Sequence, residues 1–82
     1  YKYDVVSEKD GIIISIDNRK LARVAKLAGA PRSPSAGVLL LAPLAKTVTQ
    51  GDVLFTIYAE AKGELNYAID YMKNNNNILI IE

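Results

Sequence analysis

Apolar and polar positions change period several times along the chain, and each change marks an element. Gly11-Ile12-Ile13-Ile14-Ser15-Ile16 is β-branched, apolar and preceded by Asp10, so that the pair Asp10-Gly11 supplies a turn and the run predicts a buried strand. The period then becomes helical. Leu21, Val24, Ala25 and Ala28 recur at i, i+3, i+4 and i+7, while Arg19, Lys20, Arg23 and Lys26 take the other faces. Asp17 or Asn18 can accept from the free amides of the first turn, and Gly29 followed by Pro31 ends the helix. The stretch from Pro31 to Gly37, rich in proline, serine and glycine, reads as a loop between elements.

The apolar run Val38–Leu44 predicts a strand, and Thr47 to Gly51 follows with turn chemistry. In the segment opened by Gly51-Asp52, Val53, Phe55 and Ile57 alternate with Leu54, Thr56 and Tyr58, which predicts a strand with two unequal faces. Beyond Glu60, Leu65, Ala68, Ile69 and Met72 form a second helical stripe, with Glu64, Asp70 and Lys73 away from it. Asn74 to Asn77 stop that helix, because asparagine tolerates the left-handed conformation, and Ile78–Ile81 forms a last strand. The predicted order is β-α-β-β-α-β. It implies an α+β domain: a small, mostly antiparallel sheet or partial barrel with two covering helices.

Size and composition narrow the reading. At 82 residues the chain is one small domain, and folding at this size buries only about 60% of the surface that the unfolded chain exposes. There is no cysteine, so no disulfide and no cysteine zinc site supports the core. Ten basic and nine acidic side chains give a net charge of +1, well short of the basic excess that phosphate-backbone binding demands, so no nucleic-acid partner is expected. No apolar run reaches the roughly 18–20 residues of a membrane span, and the N-terminus lacks the layout of a signal peptide, so no membrane partner is expected and the location is expected to be cytoplasmic. A start at Tyr1, running directly into patterned sequence, suggests a piece of a longer chain.

Candidate chemistry is sparse. The absence of histidine and cysteine removes the commonest general base, the commonest metal ligands and the usual nucleophilic triads. Asp17 reads as a helix cap, Asp52 as a turn former, and Glu64 and Asp70 as solvated charges on a helix. The glycines are scattered and form neither a dinucleotide fingerprint nor a Walker loop. Arg19, Lys20, Arg23 and Lys26, with Arg32 beyond them, are the one local charge imbalance. They read as a solvated helix face, against the alternative of contact with an anion or an acidic surface. Tyr67 and Tyr71, four apart, are expected to frame the core.

Taken in order, "DGIIISIDNRKLARVAKLAGAP", "AGVLLLAPL", "VTQGDVLFTIYAE" and "LNYAIDY" resemble the C-terminal domain of the thymidine and pyrimidine nucleoside phosphorylases over nearly the whole chain. "IDN", "LAGAP" and "LFTIYAE" resemble more closely the branch that includes the AMP phosphorylases. Ala45-Lys46-Thr47 departs from the family's middle turn, where another glycine and an acidic residue are common. The resemblance implies a parent pentosyltransferase that splits a nucleoside or nucleotide with inorganic phosphate as co-substrate, without a cofactor. The family's phosphate and base motifs lie upstream and have no counterpart here, so no catalytic, cofactor-binding or metal residue is assigned. The implied partners are the upstream catalytic domains of the same chain and, in a homo-oligomer, further copies of it; the implied role is a rigid wall or hinge partner.

"VTQGDVLFTI" also resembles the second half of biotinyl and lipoyl carrier domains. A carrier presents a modified lysine at a hairpin tip, whereas Lys46 stands between Ala45 and Thr47, close to the Gly51-Asp52 turn. An independent binding module that uses the basic helix is the third reading.

Overall fold

A computed structural model describes residues 1–75 and 77–82. The elements run β1 (Lys2–Val6), β2 (Gly11–Ile16), α1 (Asn18–Ala28), β3 (Gly37–Leu40), β4 (Thr47–Val48), β5 (Val53–Tyr58), α2 (Lys62–Asn74) and β6 (Leu79–Ile81). The expected α+β class is present, but it is built from two antiparallel three-stranded sheets in the orders β1-β5-β3 and β4-β2-β6. α1 packs on α2, both lie against β5, and α1 also lies against β3. The helices therefore cover the first sheet.

Both ends of α1 follow from local chemistry. Asp17 caps the start, its Oδ1 accepting from the N–H groups of Arg19 and Lys20 at 3.1 Å each. At the other end the N–H of Gly29 donates to the carbonyl of Lys26, and that of Ala30 to the carbonyl of Ala25, both at 3.1 Å. This pairing needs a left-handed residue, and Gly29 supplies it with φ +123°. α2 ends differently from expectation: Asn75 is not left-handed, and its side-chain amide donates to the carbonyl of Tyr71 at 2.9 Å. Of the four asparagines expected to stop this helix, Asn77 has φ +69° and Asn76 lies outside the described residues.

Four further differences have physical causes. β1 is additional: Tyr3 and Val5 alternate with Lys2 and Asp4, and the strand exists by pairing with β5, far along the chain. The run Val38–Leu44 is strand only to Leu40, because the N–H groups of Leu41 and Ala42 both donate to the carbonyl of Leu54 (2.9 and 3.0 Å), a bulge that ends the ladder. Thr47 and Val48 pair with β2 instead of turning, and the turn begins at Thr49, whose carbonyl accepts from Asp52 N–H at 2.9 Å. β5 is buried from Leu54 to Ile57 and so lacks the unequal faces expected; it is the central strand of its sheet, with β1 and β3 on its two edges.

One core joins the layers. Ile13 of β2, Val24 and Ala28 of α1, Val48 of β4, Phe55 and Ile57 of β5, and Leu65 and Ala68 of α2 are buried together. Tyr71 packs against this core, but Tyr67 is 68% exposed and does not frame it. Within β2 the pairing slips between Ile13 and Ser15. Strict alternation from an inward Ile13 would turn Ile16 outward, and the extra residue in the ladder returns it to the core side.

Candidate functional site

The basic cluster on α1 is spread along the helix rather than focused. Arg19, Arg23 and Lys26 are exposed and lie at i, i+4 and i+7, which makes them one stripe, while Lys20 is half-buried and engaged within the fold. Lys26 is in the last turn, where a cation offsets the partial negative charge of the helix end. With Arg32 it borders a hollow of about 190 Å³ around Gly29, Ala30 and Pro31. Glu64 closes that hollow from the first turn of α2 and is half-buried, not solvated on an open face as its spacing implied. The hollow is thus lined by charges of both signs.

The other carboxylates are largely occupied with local structure. Asp17 caps α1, Asp52 Oδ2 accepts from Thr49 N–H at 2.8 Å, Asp10 Oδ1 from Gln50 N–H at 2.7 Å, and Glu60 Oε2 from Ser35 N–H at 3.1 Å. These bonds pin turns and loops to one another. Asp4 Oδ1 accepts at 2.9 Å from the hydroxyl of Thr56, which is 3% exposed on the central strand. Thr56 thus satisfies its polar group across the sheet, as a buried hydroxyl requires. The sequence held the signal for this pair, a threonine amid apolar neighbours, but its acceptor became visible only with β1 in place.

The larger hollow is an open cleft of about 600 Å³ between β1 and β6. Leu54, Phe55, Met72 and Ile78 line its apolar side, while Lys9, Lys73 and Asn75 are among its polar groups. No histidine or cysteine is available to serve as base or nucleophile. Among the described residues no three His, Cys, Asp or Glu side chains gather as a metal site requires. Among them, too, no helix is long and apolar enough to cross a membrane. Lys46, the residue a carrier would modify, has its backbone tied into the fold: its N–H donates to Pro43 and its carbonyl accepts from Ile13.

The pattern that defines the pyrimidine nucleoside phosphorylase C-terminal domain matches residues 12–79. The chain belongs to this family. Proteins named "Putative thymidine phosphorylase" are similar to it along most of its length: one from Legionella pneumophila (strain Corby) is 51% identical over 81 residues, which is 99% of this chain and 16% of the relative. One from Ralstonia nicotianae is 54% identical over 71 residues, covering 87% of this chain and 14% of the relative. A third, from Maricaulis maris, is 44% identical over 81 residues, 98% of this chain and 16% of the relative. The chain therefore spans about one sixth of the length of these relatives. The carrier-like similarity of "VTQGDVLFTI" is local by comparison with a match that runs from β2 to β6.

Proposed function

We propose that this domain is a structural, non-catalytic part of a longer polypeptide that cleaves nucleosides with inorganic phosphate. In that reaction the bond from the base nitrogen to C1 of the pentose breaks, a phosphate oxygen bonds to C1, and the base leaves with a proton. The products are a free base and a pentose 1-phosphate, or a bisphosphate where AMP is the substrate. Thymidine is the first substrate to test, because the relatives carry that name. The reading extends to a cytoplasmic homo-oligomer that needs phosphate as co-substrate and no cofactor.

The observation that carries this reading is the match of nearly the whole chain to a sixth of each relative. It is supported by how the side chains are used: acids serve as caps and turn acceptors, and of the exposed basic stripe only Lys26 borders a hollow, one that Glu64 also lines. The test is phosphate-dependent base release from thymidine, uridine and AMP by the full-length polypeptide, beside the 82-residue chain and a version lacking it. Release by the full-length polypeptide, blank levels from the domain and impaired turnover without it are expected. Equal turnover with and without the domain would remove the structural role, and silence with all three substrates would remove the phosphorylase reading.

A further inference from the structure

The strands of the β4-β2-β6 sheet contain no charged residue. An antiparallel sheet with one solvated face ordinarily alternates apolar positions with polar ones, and this sheet does not. Its inner side carries Ile13, Ile16, Val48, Leu79 and Ile81 into the core. Its outer side leaves Ile12 at 44%, Ile14 at 47% and Ile80 at 36% exposure, an aliphatic surface shared with Ser15 and Thr47 and bordered by the exposed Glu82, whose backbone exchanges both hydrogen bonds with Ile12. Ala45 N–H donates to the carbonyl of Ile13 at 2.7 Å, which brings Leu44, 61% exposed, to the margin of that surface. The β2 sequence reads as a strand buried on both sides, whereas the domain alone covers one side.

We propose that the outward face of the β4-β2-β6 sheet, centred on Ile12, Ile14 and Ile80, docks against the part of the longer polypeptide that precedes this domain. The proposal rests on the reading of the chain as one domain of such a polypeptide. About five sixths of each relative lies outside the matched segment, and the matched family is a C-terminal domain, so the missing length lies ahead of it and is large enough to cover one sheet face. The outer side of the β1-β5-β3 sheet is the competing surface, and it is less suited. Lys2 and Asp4 stand in it, and Asp4 is held there by Thr56. A face whose three strands carry aliphatic side chains and no charge, with Glu82 only at its margin, suits a permanent contact formed within one polypeptide, since exposed apolar patches on soluble proteins mark such contacts.

Hydroxyl-radical footprinting of the full-length polypeptide, native against guanidinium-unfolded, tests this at residue resolution. If the face is free, Ile12 and Ile14 at 44% and 47% exposure are labelled about twofold more slowly than in the unfolded chain. Docking places them in an interface core packed like a protein interior, and the expected protection is about tenfold or more. Ile14→Lys, at an outward position, is expected to raise labelling of Ile12 and Ile80 several-fold in the same polypeptide. Twofold protection of the native protein would overturn the proposal. So would strong protection that disappears on dilution to a monomer, because it would assign the face to a second copy. Strong protection in a polypeptide that releases no base would leave the docking intact while removing the phosphorylase reading.

Discussion

Two side chains show how single residues set this fold, and both give predictions in which the direction is fixed by what is left unpaired. Asp17 accepts from two first-turn amides, so Asp17→Ala leaves those donors to solvent and is expected to cost about 1 kcal/mol. In a domain of this size that lowers Tm by about 4–8 °C in a thermal melt of the 82-residue chain, while Asp17→Asn should hold it nearly constant. The Asp4–Thr56 bond is asymmetric. Asp4 is exposed and Thr56 is not, so removing the acid strands a buried hydroxyl, whereas removing the hydroxyl leaves a carboxylate that water can reach. Asp4→Ala is expected to cost about 1–3 kcal/mol and Thr56→Val markedly less, read from denaturant midpoints. Equal losses would mean that the hydrogen bond does not govern the pair.

At the scale of elements, what was legible in the sequence divides by whether its cause is local. α1 was readable in full because its stripe, its cap at Asp17 and its stop at Gly29 lie within one segment. β1 has little trace in the sequence, because five residues of alternation carry little signal and the strand is held by β5, about fifty residues away. The end of β3 was misplaced for the same kind of reason: nothing in Leu41 or Ala42 says that both amides will converge on the carbonyl of Leu54. In β2 the bulge between Ile13 and Ser15 decides which isoleucines face inward, and no period of two or of 3.6 announces it. Candidate chemistry was legible chiefly by elimination, from residue types absent in the sequence, while the β1–β6 cleft needed both strands in place. The basic stripe can be tested as an element. Of its exposed members only Lys26 borders a hollow, which Glu64 also lines, so Arg19→Ala, Arg23→Ala and Lys26→Ala combined are expected to leave the KM for phosphate of the full-length polypeptide within about twofold and to change stability by no more than roughly 0.5 kcal/mol per site. A KM raised tenfold would make the stripe an anion contact instead.

The whole molecule has little in reserve. A chain of 82 residues is expected to have about 4–12 kcal/mol of stability, and with no cysteine to form a disulfide the packed core must supply it. That core contains a single phenylalanine, Phe55, 2% exposed on the strand that both helices touch. Truncating a buried phenylalanine costs about 3–5 kcal/mol, comparable to the lower end of that range. Phe55→Ala is therefore expected to abolish cooperative unfolding of the isolated domain near 37 °C. Ile57→Val, on the same strand and fully buried, removes one methylene and should lower stability by only about 0.5–1.5 kcal/mol. The contrast should shrink when the domain sits in the full-length polypeptide. A covered β4-β2-β6 face would add stability that the isolated domain lacks, so amide exchange along β2 in the Phe55→Ala variant should be slower there than in the excised chain. Exchange at the same rate in both settings would mean that the rest of the polypeptide gives this sheet no support, and that the two inner faces around Phe55 hold it alone.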